Sequence, residues 1–135
     1  MTGLPLYSIE KSEFFERTFK KLAKPYRRDS LDKLVDAIAG LTNNPYSLKS
    51  RAEPLPSKIL LPDDWTFHKL EIWVSKGASG QVRLMYLVNE EAQLIRLLWA
   101  YNHEQFAKRP DDKDLRESID IALNPESIED QDDEA

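Results

Sequence analysis

Residues 65–99 read WTFHKLEIWVSKGASGQVRLMYLVNEEAQLIRLLW. Within this stretch, Trp65–Ser75, Gln81–Val88 and Ala92–Trp99 are rich in β-branched, aromatic and aliphatic residues and carry a period of two. In the first, His68, Leu70, Ile72 and Val74 share one face, and Phe67, Lys69, Glu71 and Trp73 share the other. In the second, Val82, Leu84, Tyr86 and Val88 oppose Arg83, Met85 and Leu87. In the third, Ile95, Leu97 and Trp99 are expected opposite Leu94, Arg96 and Leu98. Lys76–Gly80 and Asn89–Glu91 are turn segments, so the three runs form an antiparallel meander. Both faces are apolar at many positions, which predicts a central sheet packed on both sides.

The N-terminal side supplies the first cover. Leu4–Ile9 reads as a strand, and Pro5 places it near an edge. Ser12 is suited to cap a helix over about 13–24, with Glu13 and Glu16 at its positive end and Lys20, Lys21 and Lys24 at its negative end. A second helix starts near Asp29 or Ser30 and carries Leu31, Leu34, Val35, Ile38 and Leu41 at helical spacing. Asn43-Asn44-Pro45 ends it. The connection from Pro45 to Asp64 is long and contains Pro54, Pro56 and Pro62; Ile59–Leu61 is its only segment expected to pair. On the C-terminal side, a third helix over 112–123 carries Leu115, Ile119, Ala122 and Leu123, and Pro125 stops it. The acidic end beyond it reads as disordered. The predicted class is α+β: an N-terminal strand and helical hairpin packed on an antiparallel meander, followed by a C-terminal helix. The expected organisation is a body over 1–110, a helix over 111–123 and an acidic tail over 124–135.

The 135-residue chain has no cysteine and two histidines, His68 and His103. This excludes a disulfide scaffold and a zinc-finger or iron–sulfur site. The cysteine count suits the cytoplasm. No signal peptide is read at the N-terminus, and no apolar run approaches the roughly 20 residues of a membrane span. The net charge of −5 hides a division. Residues 1–110 carry 17 basic and 13 acidic residues, whereas residues 111–135 carry 2 and 11. A mildly basic body is therefore followed by a strongly acidic end.

Lys69, Glu71, Arg83, Arg96 and His103 are the residue types that cleave RNA without a metal or other cofactor. A base takes the 2′-hydroxyl proton, cations stabilise the phosphorane, and an acid protonates the leaving oxygen. The same residues on a solvated sheet face also form cross-strand ion pairs, and alternation alone cannot fix whether Arg83 faces Lys69 and Glu71. Arg83 interrupts an apolar run and so needs a partner or a purpose, and Arg96 has the same character, with Glu71 or Glu91 as a candidate partner. Lys20, Lys21, Lys24, Arg27 and Arg28 around the first helix joint, with Lys76 in the turn, form a candidate RNA-binding patch or simply a solvated face. Trp65, Phe67, Trp73 and Tyr101 are able to stack on bases, although strand aromatics more often build core. His68 reads as a buried, hydrogen-bonded structural residue.

YSIEKSEFFERTFKKL (7–22), KLVDAIAGLTNNPY (33–46), HKLEIWVSKGASGQVRLMYLV (68–88) and QLIRLLWAYNH (93–103) resemble, in that order, the segments of RelE/ParE toxins of bacterial type II toxin–antitoxin systems. The resemblance covers about residues 5–106. It implies a cytoplasmic toxin with a cognate antitoxin as partner. If the chain is active, it implies an endoribonuclease acting on ribosome-bound mRNA. By position it assigns phosphate stabilisation to Arg83, an acid or orienting role to His103, lysine and glutamate roles to Lys69 and Glu71, and a weaker match to Arg96. The ParE branch keeps the fold, lacks this constellation and acts on gyrase, so a non-catalytic protein on the same fold is the alternative. The acidic balance, the proline-bearing connection and the helix after Pro110 depart from the family pattern.

Overall fold

The computed structural model describes residues 6–47, 49–77 and 80–124. In chain order the elements are β1 (Ser8–Lys11), α1 (Glu13–Ala23), α2 (Arg28–Gly40), β2 (Ser50–Ala52), β3 (Thr66–Trp73), β4 (Gln81–Asn89), β5 (Leu94–Asn102) and α3 (Asp112–Leu123). The strands form one sheet in the order β1-β5-β4-β3-β2. β1 runs parallel to β5, and every other pair is antiparallel. The fold is α+β, as the periodicities require. Leu4, Pro5 and the acidic stretch after Asn124 lie outside the described residues. Among the described residues, no helix is long and apolar enough to cross a membrane.

The helix ends follow local chemistry. Ser12 Oγ accepts the Phe15 N–H at 3.0 Å, and Glu13 and Glu16 fill the first turn of α1 while Lys20 and Lys21 fill the last. At the β3–β4 turn, any Cβ on Gly80 would run into the backbone carbonyl of Ser75, so the hairpin closes only on glycine.

Three details differ from the periodicity reading. Ile59–Leu61 does not pair. The strand inside the long connection is β2, which pairs Ser50–Ala52 with Leu70–His68. Ile59 and Leu61 instead pack under α3, and Leu60 is exposed. The last meander strand begins two residues later than expected and runs to Asn102, because Gln93 takes φ 53° and its carbonyl accepts the Ser8 N–H. Finally, a β-bulge between Met85 and Tyr86 lets Tyr86 pair with Leu97 while Met85 pairs with Trp99. Leu98 is the extra residue, so Trp99 leaves the face of Ile95 and Leu97 and joins that of Met85.

The sheet separates two cores. On one face Phe15, Leu22, Leu34 and Leu41 of the α1–α2 hairpin and the loop after it pack on Leu70, Ile72, Val82, Leu84, Val88, Ile95 and Leu97. His68 and Tyr86 lie at its margin as a stacked pair, 5.6 Å between ring centroids. The Tyr86 hydroxyl donates to the Pro45 carbonyl at 2.6 Å, and His68 Nε2 lies 2.7 Å from Thr66 Oγ1. His68 is thus the buried, hydrogen-bonded residue its strand position predicts, and burial lowers its pKa. On the other face Leu115, Ile119 and Ala122 of α3 pack on Phe67, Met85, Leu87, Leu98 and Tyr101. Leu115 and Ile119 are fully buried, each worth about 1.5–3 kcal/mol of transfer free energy. Residues that resemble no part of the toxin pattern therefore cover part of the sheet face that carries the charged residues.

Candidate functional site

The strand register decides which charged residues meet. Glu71 pairs with Arg83, which pairs on its other side with Tyr101; Trp73 pairs with Gln81; Lys69 pairs with Met85. These side chains alternate with Leu70, Ile72, Val82 and Leu84, which belong to the opposite core. Lys69, Glu71, Trp73, Gln81, Arg83 and Tyr101 therefore share one sheet face, and the question that alternation left open is answered. α3 covers the half of this face around Phe67 and Leu87, and Glu71, Trp73 and Arg83 lie toward the half beyond it.

Arg83 is half-buried. Its Nη2 donates to Gln81 Oε1 at 3.3 Å, whereas Nε and Nη1 are enclosed without a hydrogen-bond partner. None of the ion pairs among the described residues involves Arg83, although Glu71 stands opposite it. A guanidinium has five donors and cannot discharge, so enclosed unmet donors are costly. A guanidinium's planar fork is suited to a phosphate or carboxylate, but Nε and Nη1 are closed to solvent here. Tyr101 beside it is fully buried, and its hydroxyl donates to the Lys108 carbonyl at 3.1 Å. Burial raises its pKa far above the usual tyrosine range, so the phenol stays neutral.

Lys69 is differently placed. Its Nζ lies 3.2 Å from Glu53 Oε1, and Arg109 Nη1 lies 3.0 Å from Glu53 Oε2. The Glu53 side chain is only 6% exposed, so two cations flank one buried carboxylate. Arg109 continues to the Pro54 carbonyl at 2.7 Å and to Asp112 Oδ1 at 3.1 Å. Asp112 also accepts the Ser57 N–H, and this backbone hydrogen bond, with Arg109, holds its carboxyl below the usual range. This network ties the proline-bearing connection to the start of α3. Glu53 and Arg109 carried no signal in the sequence: both lie in irregular segments without periodicity, and only tertiary pairing brings them to Lys69.

Arg96 shares the face but not the site. Its Nε donates to Glu10 Oε1 at 2.9 Å, its Nη1 donates to the Ala122 carbonyl, and its guanidinium lies 5.0 Å from the Trp65 ring centroid. It fastens β1 and the last turn of α3 at the covered end of the sheet. His103 is exposed in the turn after β5, at the end where Arg83 lies. The basic joint approaches the same end. Asn102 Nδ2 donates to the Tyr26 hydroxyl at 3.1 Å, and Ser30 Oγ donates to the Val74 carbonyl at 3.3 Å. Lys24, Arg27 and Arg28 are exposed at or beside this joint, Lys20 and Lys21 lie back along α1, and Lys76 is exposed in the β3–β4 turn. The structure thus brings Lys69, Glu71 and Arg83 onto one face, sets His103 and the basic joint at its open end, and leaves Arg96 apart.

Solved toxin structures align with most of this chain. An archaeal RelE–RelB complex from Pyrococcus horikoshii OT3 aligns with 72% of this chain and 94% of its own, at 13% identity and a TM-score of 0.49. A metal-bound toxin from Helicobacter pylori aligns with 75% of this chain and 99% of its own, at 20% identity and a TM-score of 0.48. A variant of Escherichia coli toxin RelE in the free state aligns with 90% and 98%, at 15% identity and a TM-score of 0.45. No protein-family model and no curated protein matches the chain.

Proposed function

We propose that this chain is a RelE-like toxin, an endoribonuclease that cleaves ribosome-bound mRNA in the cytoplasm and is held in check by a cognate antitoxin. The observation that carries the reading is Arg83: a half-buried guanidinium with two enclosed, unpartnered nitrogens, opposite Glu71 on the adjacent strand. A scissile phosphate supplies the acceptors that Arg83 lacks and gains most from them as charge builds on the phosphorane. Glu71, in the adjacent strand, is the proposed base for the 2′-hydroxyl. His103 at the open end is the proposed acid for the leaving oxygen. Lys69, already paired with Glu53, adds positive charge to the face. Lys20, Lys21, Lys24, Arg27, Arg28 and Lys76 hold the flanking backbone.

A second reading has its own support. α3 covers part of this sheet face and Glu53 occupies Lys69, which suits a RelE/ParE-fold protein that binds and inhibits a protein target, or serves only as an interaction module.

Brief induced expression separates the two. The enzyme reading expects growth arrest and new mRNA 5′ ends within reading frames. It also expects Arg83→Ala to lower cleavage about 10²–10³-fold, the usual cost of removing one donor to a developing oxyanion. Growth arrest without new 5′ ends, unchanged by Arg83→Ala, selects the binding protein instead.

A further inference from the structure

Trp73 is 52% exposed, whereas Phe67 and Tyr101, the other aromatics at the centre of this face, are buried. Nothing in strand chemistry favours an open indole at this position. β2 ends its register at Leu70, so Trp73 lies past the last residue of the neighbouring strand. On its other side stands Gln81, whose side-chain oxygen accepts from Arg83 Nη2. Arg83 is therefore the diagonal neighbour of Trp73 on the same face, a Cα separation of roughly 7–8 Å in an antiparallel pair. An exposed indole and a guanidinium short of hydrogen-bond partners thus occupy diagonal positions on one face. Exposed Lys76 and the basic joint that carries Arg27 and Arg28 flank the same end of the sheet.

We infer that Trp73 and Arg83 form one nucleotide-binding step for single-stranded RNA: a base stacks on Trp73 while its neighbouring phosphate binds Arg83. The inference rests on the RNA-directed reading of Arg83 above and names the contact that reading lacks. An acidic peptide would also satisfy Arg83, but its carboxylate makes no use of an indole face. A base has such a face whatever its identity, so the step is tolerant of sequence.

The test uses the full chain and two probes. One is a 2′-O-methyl RNA hexamer, which cannot be cut through its 2′-hydroxyl. The other is an abasic oligonucleotide with the same number of phosphates. The wild-type protein is expected to bind the base-bearing probe about 5–150-fold tighter, the range for stacking one base. Trp73→Ala is expected to bring that ratio near one with the abasic affinity unchanged, and Trp73→Phe to keep most of it. Equal binding of both probes by wild type, no binding of either, or an undiminished ratio in a folded Trp73→Ala variant overturns the inference. Binding of a glutamate-rich peptide in place of both probes also overturns it. The outcome is separable from the enzyme reading. If Arg83→Ala abolishes cleavage in cells while Trp73→Ala leaves the probe ratio intact, the toxin stands and the stacking step falls. If the ratio depends on Trp73 but no mRNA is cut, the stacking step stands on an RNA-binding protein.

Discussion

Arg83 and Arg96 look alike in the sequence and are opposites in the structure. Both interrupt apolar strands, both point to the same sheet face, and they lie on adjacent strands. Arg96 is saturated: a carboxylate from β1, a carbonyl from the last turn of α3 and the face of Trp65 surround it. Arg83 has one long hydrogen bond, to Gln81, and two enclosed nitrogens with nothing to bind. The first is what a stabilising arginine looks like. The second carries a desolvation cost that the fold itself does not recover. The same residue type on one surface is thus saturated beside α3 and short of partners next to Gln81.

The difference has measurable consequences. The largest concerns the network that ties the proline-bearing connection to the start of α3. Glu53→Gln leaves Lys69 and Arg109 facing a neutral amide inside the protein and is expected to lower unfolding stability by about 3–5 kcal/mol in urea denaturation. A loss below 1 kcal/mol means the network is solvated and decorative. Arg96→Leu removes one ion pair, one charge-assisted hydrogen bond and one cation–π contact, and is expected to cost about 2–3 kcal/mol. Arg83→Leu, on the same surface, is expected to change stability by less than about 1 kcal/mol, in either direction, because it removes unmet donors with the charge. Equal losses for the two leucine variants would falsify the contrast between the arginines.

The smallest effect is a pH dependence. Burial lowers the His68 pKa below its ordinary 6.5, so the unfolded chain binds this proton more readily than the native one. The contribution is present above about pH 6.5 and is lost as pH falls from there through the lower native pKa. Glu90 opposes the shift without cancelling it. His68→Gln should flatten that part of the stability–pH curve; an unchanged slope assigns it to other groups.

Much of the fold was legible because its signals are local. The strands from Thr66 to Asn102 announce themselves by period two and their turns, and α1, α2 and α3 by apolar stripes and caps. The face of Lys69 and Glu71 followed directly from alternation. The errors fell where one residue or one partner decides. A single bulged residue, Leu98, moves Trp99 to the other face, and β2 is too short to be seen without the strand it pairs with. The candidate site was legible as a set of residue types but not as a geometry. Nothing local distinguishes Arg83 from Arg96, or ties Lys69 to Glu53 sixteen residues earlier.

The amino-acid order by itself determined an α+β chain with two apolar sheet faces, a basic body and an acidic end, because propensity, periodicity and charge act over a few residues. Only the tertiary structure decided which cation is satisfied and which is left open. Burial and pairing depend on residues distant in sequence: Glu10 and Ala122 reach Arg96, Glu53 and Arg109 reach Lys69, and none of the ion pairs among the described residues reaches Arg83.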